Sequence, residues 1–127
     1  MRAVVIDSEK QKVYEVAMGT DYKEIYPLIG NGCHTFCCPV QLENGDAMFA
    51  DDEALLQPEI KGGFMMQGWR YPLCGNAVLL NSNEEGESTD ALSSTEDLAA
   101  QIMWVSAADA QKWAEYALGR PLRVYSA

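Results

Sequence analysis

Short apolar blocks separated by turn residues run along this chain, and their spacing alternates between the period of a strand and that of a helix. Ala3-Val4-Val5-Ile6 is an unbroken apolar run inside Arg2 to Asp7, and a second β-rich block spans Lys12 to Val16. Ser8-Glu9-Lys10-Gln11 between them predicts a hairpin. Thr20 or Asp21 then caps a short helix, because Tyr22, Ile25, Tyr26 and Ile29 fall at i, i+3, i+4 and i+7 on one helical face. Pro27 lies beyond the first turn and removes one backbone bond. Gly30-Asn31-Gly32 supplies a left-handed stop.

Cys33 to Glu43 reads as a strand, and Asn44-Gly45 predicts a tight hairpin with the returning strand at Ala47 to Ala50. Asp51-Asp52-Glu53-Ala54-Leu55-Leu56 resembles one helical turn with acids at its positive end, closed by Pro58. Strands are expected at Gly63 to Met66 and Ala77 to Leu80, and a solvated loop at Asn81 to Asp90. Ser93 and Glu96 have the spacing of a capping box that opens a short helix. Ile102 to Val105 reads as the last strand, since Ser106-Ala107-Ala108-Asp109 is a fresh cap directly after it. In the final helix Ala110, Trp113, Ala114, Ala117 and Leu118 form one apolar stripe, stopped by Gly119-Arg120-Pro121. The expectation is one α+β domain over residues 1–127: a mostly antiparallel sheet of about five to seven strands with two or three helices.

Length and composition agree with one packed core. The 127 residues are the size of a single domain, and 48% are hydrophobic, too many for a disordered chain. Nineteen acidic residues against nine basic ones give a net charge of -10. That balance repels nucleic-acid backbones, so bulk DNA or RNA is not an expected partner. No apolar run approaches the roughly 20 residues of a membrane span. The first residues read as a strand rather than a signal peptide, and a cytoplasmic setting with reduced thiols is expected.

Candidate chemistry is sparse. Cys33-His34-Thr35-Phe36-Cys37-Cys38, with Cys74 as a distant fourth thiol, is the place to look for zinc. On a strand, however, Cys37 and Cys38 point to opposite faces, while Cys33, Thr35 and Cys37 share one face as small core residues do. No metal and no cofactor are therefore expected. His34 is the single histidine, and no nucleophile elbow, phosphate loop or dinucleotide fingerprint accompanies it. The reading is a protein that is not an enzyme, with no catalytic residues.

Charge distribution carries more than any motif. Between Ile60 and Asn83 there is no acidic residue, and the segment holds Lys61, Gly62-Gly63, Phe64, Trp69, Arg70, Tyr71 and Gly75-Asn76. The end from Tyr116 to Ala127 is also acid-free and carries Arg120 and Arg123. Aromatic planes stack, arginines bond anions in bidentate fashion, and glycines let backbone N–H groups approach them. Lys61, Phe64, Trp69, Arg70, Tyr71, Asn76, Arg120 and Arg123 are thus the candidate binding residues for a small anionic, nucleotide-like ligand. A hairpin loop beside core aromatics is the plainer reading of the same residues.

Four segments form a pattern: Val4-Val5-Ile6, Ile25 to Gly30, Asp51 to Pro58, and Pro72-Leu73-Cys74-Gly75-Asn76-Ala77-Val78-Leu79-Leu80 followed by Glu84-Glu85-Gly86-Glu87. Together they resemble a family of small phage and mobile-element proteins, domain of unknown function family 3846. The resemblance covers roughly the first two thirds of the chain and brings no catalytic residues with it. It implies a host bacterial cytoplasm and a counter-defence role, either sequestering an immune signalling nucleotide or acting as an acidic, DNA-imitating decoy of a host defence enzyme. A third expectation is a homodimer module without ligand, with Trp104, Trp113 and the final helix at the contact.

Overall fold

The computed structural model describes residues 1–119. Strand β1 (Arg2–Asp7) turns back into β2 (Lys12–Ala17), in register from Arg2 opposite Ala17 to Asp7 opposite Lys12. A 3-10 turn at Tyr22–Glu24 runs into the five-residue helix α1 (Ile25–Ile29). The hairpin of β3 (Phe36–Gln41) and β4 (Ala47–Asp51) follows, then a 3-10 turn at Ala54–Leu56. Next come β5 (Gly63–Met66), β6 (Leu73–Cys74), β7 (Ala77–Ser82) and β8 (Ser88–Thr89). Helix α2 (Thr95–Gln101), β9 (Ile102–Val105) and α3 (Ala107–Ala117) complete the described chain. The architecture is α+β, with two antiparallel sheets. The larger has six strands in the order β2-β1-β7-β4-β3 with β8 beside β7, and the smaller is β6-β5-β9.

Strands β1 and β7 lie in the middle of the large sheet, which explains their unbroken apolar runs: both faces of the sheet are covered. On one face Ala3, Val5, Val78 and Leu80 meet Ile25 and Ile29 of α1. Tyr22, Tyr26, Phe36 and Phe49 extend that layer through successive edge-to-face contacts, with centroids 6.4, 5.0 and 5.6 Å apart. On the other face Val4, Ile6, Met48, Ala77 and Leu79 pack on Phe64 and Met66 of the small sheet and Leu98 of α2. A third, smaller cluster of Ile60, Cys74, Ala110 and Ala114 fixes α3.

The structure corrects four local expectations. The strand expected from Cys33 begins only at Phe36 and ends at Gln41. Gly32 has φ +75°, and Cys33 N–H donates to Gly30 O, so residues 30–33 form a turn and residues 33–35 have no regular structure before the strand. At this sheet edge a register shift between Cys37 and Val40, with Pro39 inside it, breaks the ladder. Such features blunt an edge strand against further pairing. The first helix is capped by Asp21, which accepts from Lys23 N, and opens as a 3-10 turn. Segment 81–90 is a hairpin rather than a loop, with Asn81 paired to Thr89 and Ser82 to Ser88. Its turn is held by Asn83 Oδ1, which accepts from the N–H groups of Glu85 and Glu87.

The fourth correction concerns α2, which is capped by Ser94, not Ser93. Ser94 Oγ accepts from Asp97 N at 3.0 Å, while Ser93 is buried and turned to Asp46. The two serines therefore have different work. Ser94→Ala is expected to cost about 1 kcal/mol, the usual loss of an N-cap. A urea titration of the variant checks this, and a cost near zero would remove Ser94 from the cap.

Candidate binding surfaces

Helix α3 brings an aromatic pair against the first acid-free segment. Tyr71, in the turn between β5 and β6, lies flat on Trp113 of α3, with centroids 5.0 Å apart and planes at 19°. Trp113 in turn contacts Tyr116, one helical turn on, at 5.6 Å. The small residues of α3 explain the arrangement: Ala110 and Ala114 are fully buried, so the helix sits close to the small sheet and Trp113 is held half-buried beside it. Tyr71 is 59% exposed and Tyr116 77%, so the three rings form an open ledge. Arg70, directly before Tyr71, and Lys112, directly before Trp113, are exposed.

A second surface lies around Trp69. An open groove of about 600 Å³ runs between the end of the β3–β4 hairpin, the turn after β5, and α2. Among the described residues Val40, Leu42, Met66, Trp69, Leu92 and Leu98 supply its apolar lining, Gln41, Asn44, Gln67, Ser93, Ser94 and Gln101 its neutral polar atoms, and Glu43 and Asp97 its charges. A second open groove of about 460 Å³, lined by Met65 and Met103 among others, shares Met66, Gln67, Trp69 and Gln101 with it. Trp69 is packed from behind by Phe64, at 5.6 Å.

One wall of the large groove is fastened by a buried carboxylate. Asp46 is 0% exposed and has no cation among its hydrogen-bond partners in the described residues. It accepts instead from Leu92 N (2.9 and 3.1 Å), Ser93 N (2.8 Å), Ser93 Oγ (2.6 Å) and Asn81 Nδ2 (2.8 Å). Burial pushes this carboxyl's pKa upward, but the bonds from Leu92, Ser93 and Asn81 outweigh it and hold it below the ordinary value. No buried side-chain nitrogen or oxygen among the described residues lacks a partner.

The residues singled out in the sequence are thus divided. Tyr71 stands at the ledge with exposed Arg70 directly before it in the chain, and Trp69 lines the groove. Phe64 is fully buried in the core and has no face left for a ligand, a correction to its place among the binding residues. Asn76 is half-buried, and its Oδ1 accepts Ser8 N–H at 2.9 Å. Lys61 is exposed beside Asn76 in a shallow depression that also includes Asp51, away from the aromatic stack. Arg120 and Arg123 lie outside the described residues. The glycine pair serves packing: a Cβ on Gly62 (φ +144°) would stand 2.9 Å from Ser8 O, and one on Gly63 would stand 2.7 Å from Leu73 O. Gly75 N–H, read as a donor for an anion, bonds Gly62 O.

Trp113 and Tyr116 were legible only as helix residues three apart; the stack needs Tyr71 from a distant segment. Trp104 is paired with Phe64 across β9 and β5 and packs, partly buried, against the core.

The thiols are spread over two regions. Burial pushes Cys74 up to about 11, burial and the nearby Asp51 carboxylate push Cys33 up to about 11, and burial with Asp52 raises Cys37. At neutral pH these three are protonated, the form that neither attacks nor ligates. Among the described residues no group of three or more His, Cys, Asp or Glu side chains could hold a metal ion. None of the described helices is long and apolar enough to cross a membrane.

No protein-family model, curated protein or solved structure matches this chain.

Proposed function

We propose that the protein is a non-catalytic binding protein that takes up a small anionic ligand of nucleotide type on the ledge of Tyr71, Trp113 and Tyr116. The observation that carries this reading is the open aromatic stack itself, in which Trp113 links Tyr71 of the first acid-free segment to Tyr116, the first residue of the second, in a chain whose net charge is -10. Exposed aromatic planes offer a face to a nucleobase, and Arg70 and Lys112 beside them offer charge to its phosphate. In the phage setting implied by the resemblance to family 3846, holding such a molecule without altering it would deprive a host defence of its signal.

A thermal-shift screen against mononucleotides and cyclic oligonucleotides tests the reading. A ligand at a hundredfold excess over its Kd adds about 2.7 kcal/mol, a rise of several degrees for a domain of this size. Tyr71→Ala should weaken a hit about fivefold or more, since stacking contributes about 1–3 kcal/mol per base. Recovery of the ligand intact after denaturation is the expected result. A flat screen, or a hit indifferent to Tyr71→Ala, would overturn it.

A further inference from the structure

The groove beside Trp69 differs from the ledge in chemistry and rests on separate observations. Among the described residues its lining includes two carboxylates, Glu43 and Asp97, and no lysine or arginine. These charges repel a free phosphate or nucleotide. Apolar side chains share its lining with polar ones, and Leu92 on its wall is 65% exposed although its backbone is locked to buried Asp46. A large aliphatic side chain held in water by a fixed backbone cannot withdraw, so it is available to a partner at little ordering cost. Trp69, backed by Phe64, is the kind of anchored aromatic that dominates protein contacts.

We propose that this groove docks a basic, apolar-anchored peptide segment of another protein. Charge complementarity selects this occupant. The carboxylates of Glu43 and Asp97 meet lysine or arginine, Leu92 and Trp69 cover the apolar anchor, and the amides of Gln41 and Gln67 answer backbone groups. The volume of about 600 Å³ lies within the usual range of ligand clefts. The net charge of -10 raises the encounter rate with cationic segments and disfavours acidic ones.

The test uses the full chain and fluorescently labelled short peptides carrying lysine or arginine beside leucine or phenylalanine, against matched peptides with glutamate in place of the basic residues. Anisotropy should show binding of the basic peptides alone, weakening as salt rises. The pair Glu43→Gln and Asp97→Asn should lower affinity about fivefold and flatten the salt dependence. Leu92→Ser should also weaken binding, while Tyr71→Ala should leave it unchanged, which separates this site from the ledge. Circular dichroism of each variant confirms folding. Binding of neither peptide class, equal binding of both, or indifference to the groove variants would overturn the proposal. So would a dimer in sedimentation that Leu92→Ser dissolves, since a second copy would then be the occupant.

Discussion

Replacing Asp46 with alanine is expected to destabilise the domain by several kcal/mol, because a set of neutral donors loses its charged acceptor. The reason lies in what stays behind. Leu92 N–H and Ser93 N–H are anchored at the carboxylate within 2.8 to 2.9 Å, and Asn81 Nδ2 and Ser93 Oγ complete the set. Without Asp46, buried donors lose their acceptor, at about 1–3 kcal/mol for each one left unsatisfied. The segment from Ala91 to Ser94 would also lose its attachment to the β3–β4 hairpin, and α2 begins directly after it. Urea denaturation at neutral pH measures the loss; a cost below about 1 kcal/mol would mean that water replaces the carboxylate readily.

The same group sets a pH dependence whose direction follows from its lowered pKa. A carboxyl with a folded pKa below its unfolded value binds fewer protons when folded, so its contribution is fully present above the unfolded value of about 3.9. That contribution is lost as pH falls through the lower folded pKa. The stability gap between the wild type and Asp46→Ala should therefore be constant near neutrality and shrink in that acid window. A gap that shrinks already above pH 5 would contradict the lowered pKa.

Phe64→Ala is expected to cost about 3–5 kcal/mol, the range for truncating a buried aromatic. Phe64 sits at the centre of β5, fully buried, where the small sheet packs on Val4, Ile6, Met48 and Leu79 of the large one. Its loss leaves a cavity between two sheets whose backbones are held by their own ladders, so collapse is restricted. Against a typical total stability of about 5–15 kcal/mol, little margin remains. The ring also supports Trp69, so the fluorescence of the folded variant should change along with its denaturation midpoint. A small cost would show that the sheets can close over the gap.

Trp69 and Phe64 also show why the binding surfaces were only partly legible. Both belong to one acid-free aromatic segment, and composition treats them alike. Strand alternation sends Phe64 into the core, whereas Trp69, beyond the positive-φ Gly68, lies in a turn with one ring face against Phe64 and one edge on the groove. The groove itself had no linear signal, because its walls come from the β3–β4 hairpin, the turn after β5, and α2.

Local chemistry determined much of the rest. Apolar periodicity located β1, β2, β4, β5, β7, β9 and α3, and Asn44-Gly45 marked its hairpin, because pairing and capping between near neighbours depend on short-range backbone preferences. Where it failed, competing local signals were close in strength: adjacent Ser93 and Ser94 can each cap, and only the buried Asp46 decides which one is free to do so. Strand order was decided by tertiary structure. Strand β7 inserts between β1 and β4, some seventy and thirty residues away in the chain, because its two apolar faces can be covered only in the middle of a sheet. Such pairings are selected by total burial across distant segments, which no window of sequence contains. The meeting of Tyr71 with Trp113 and the lock of Asp46 on Ser93 are consequences of that same long-range choice.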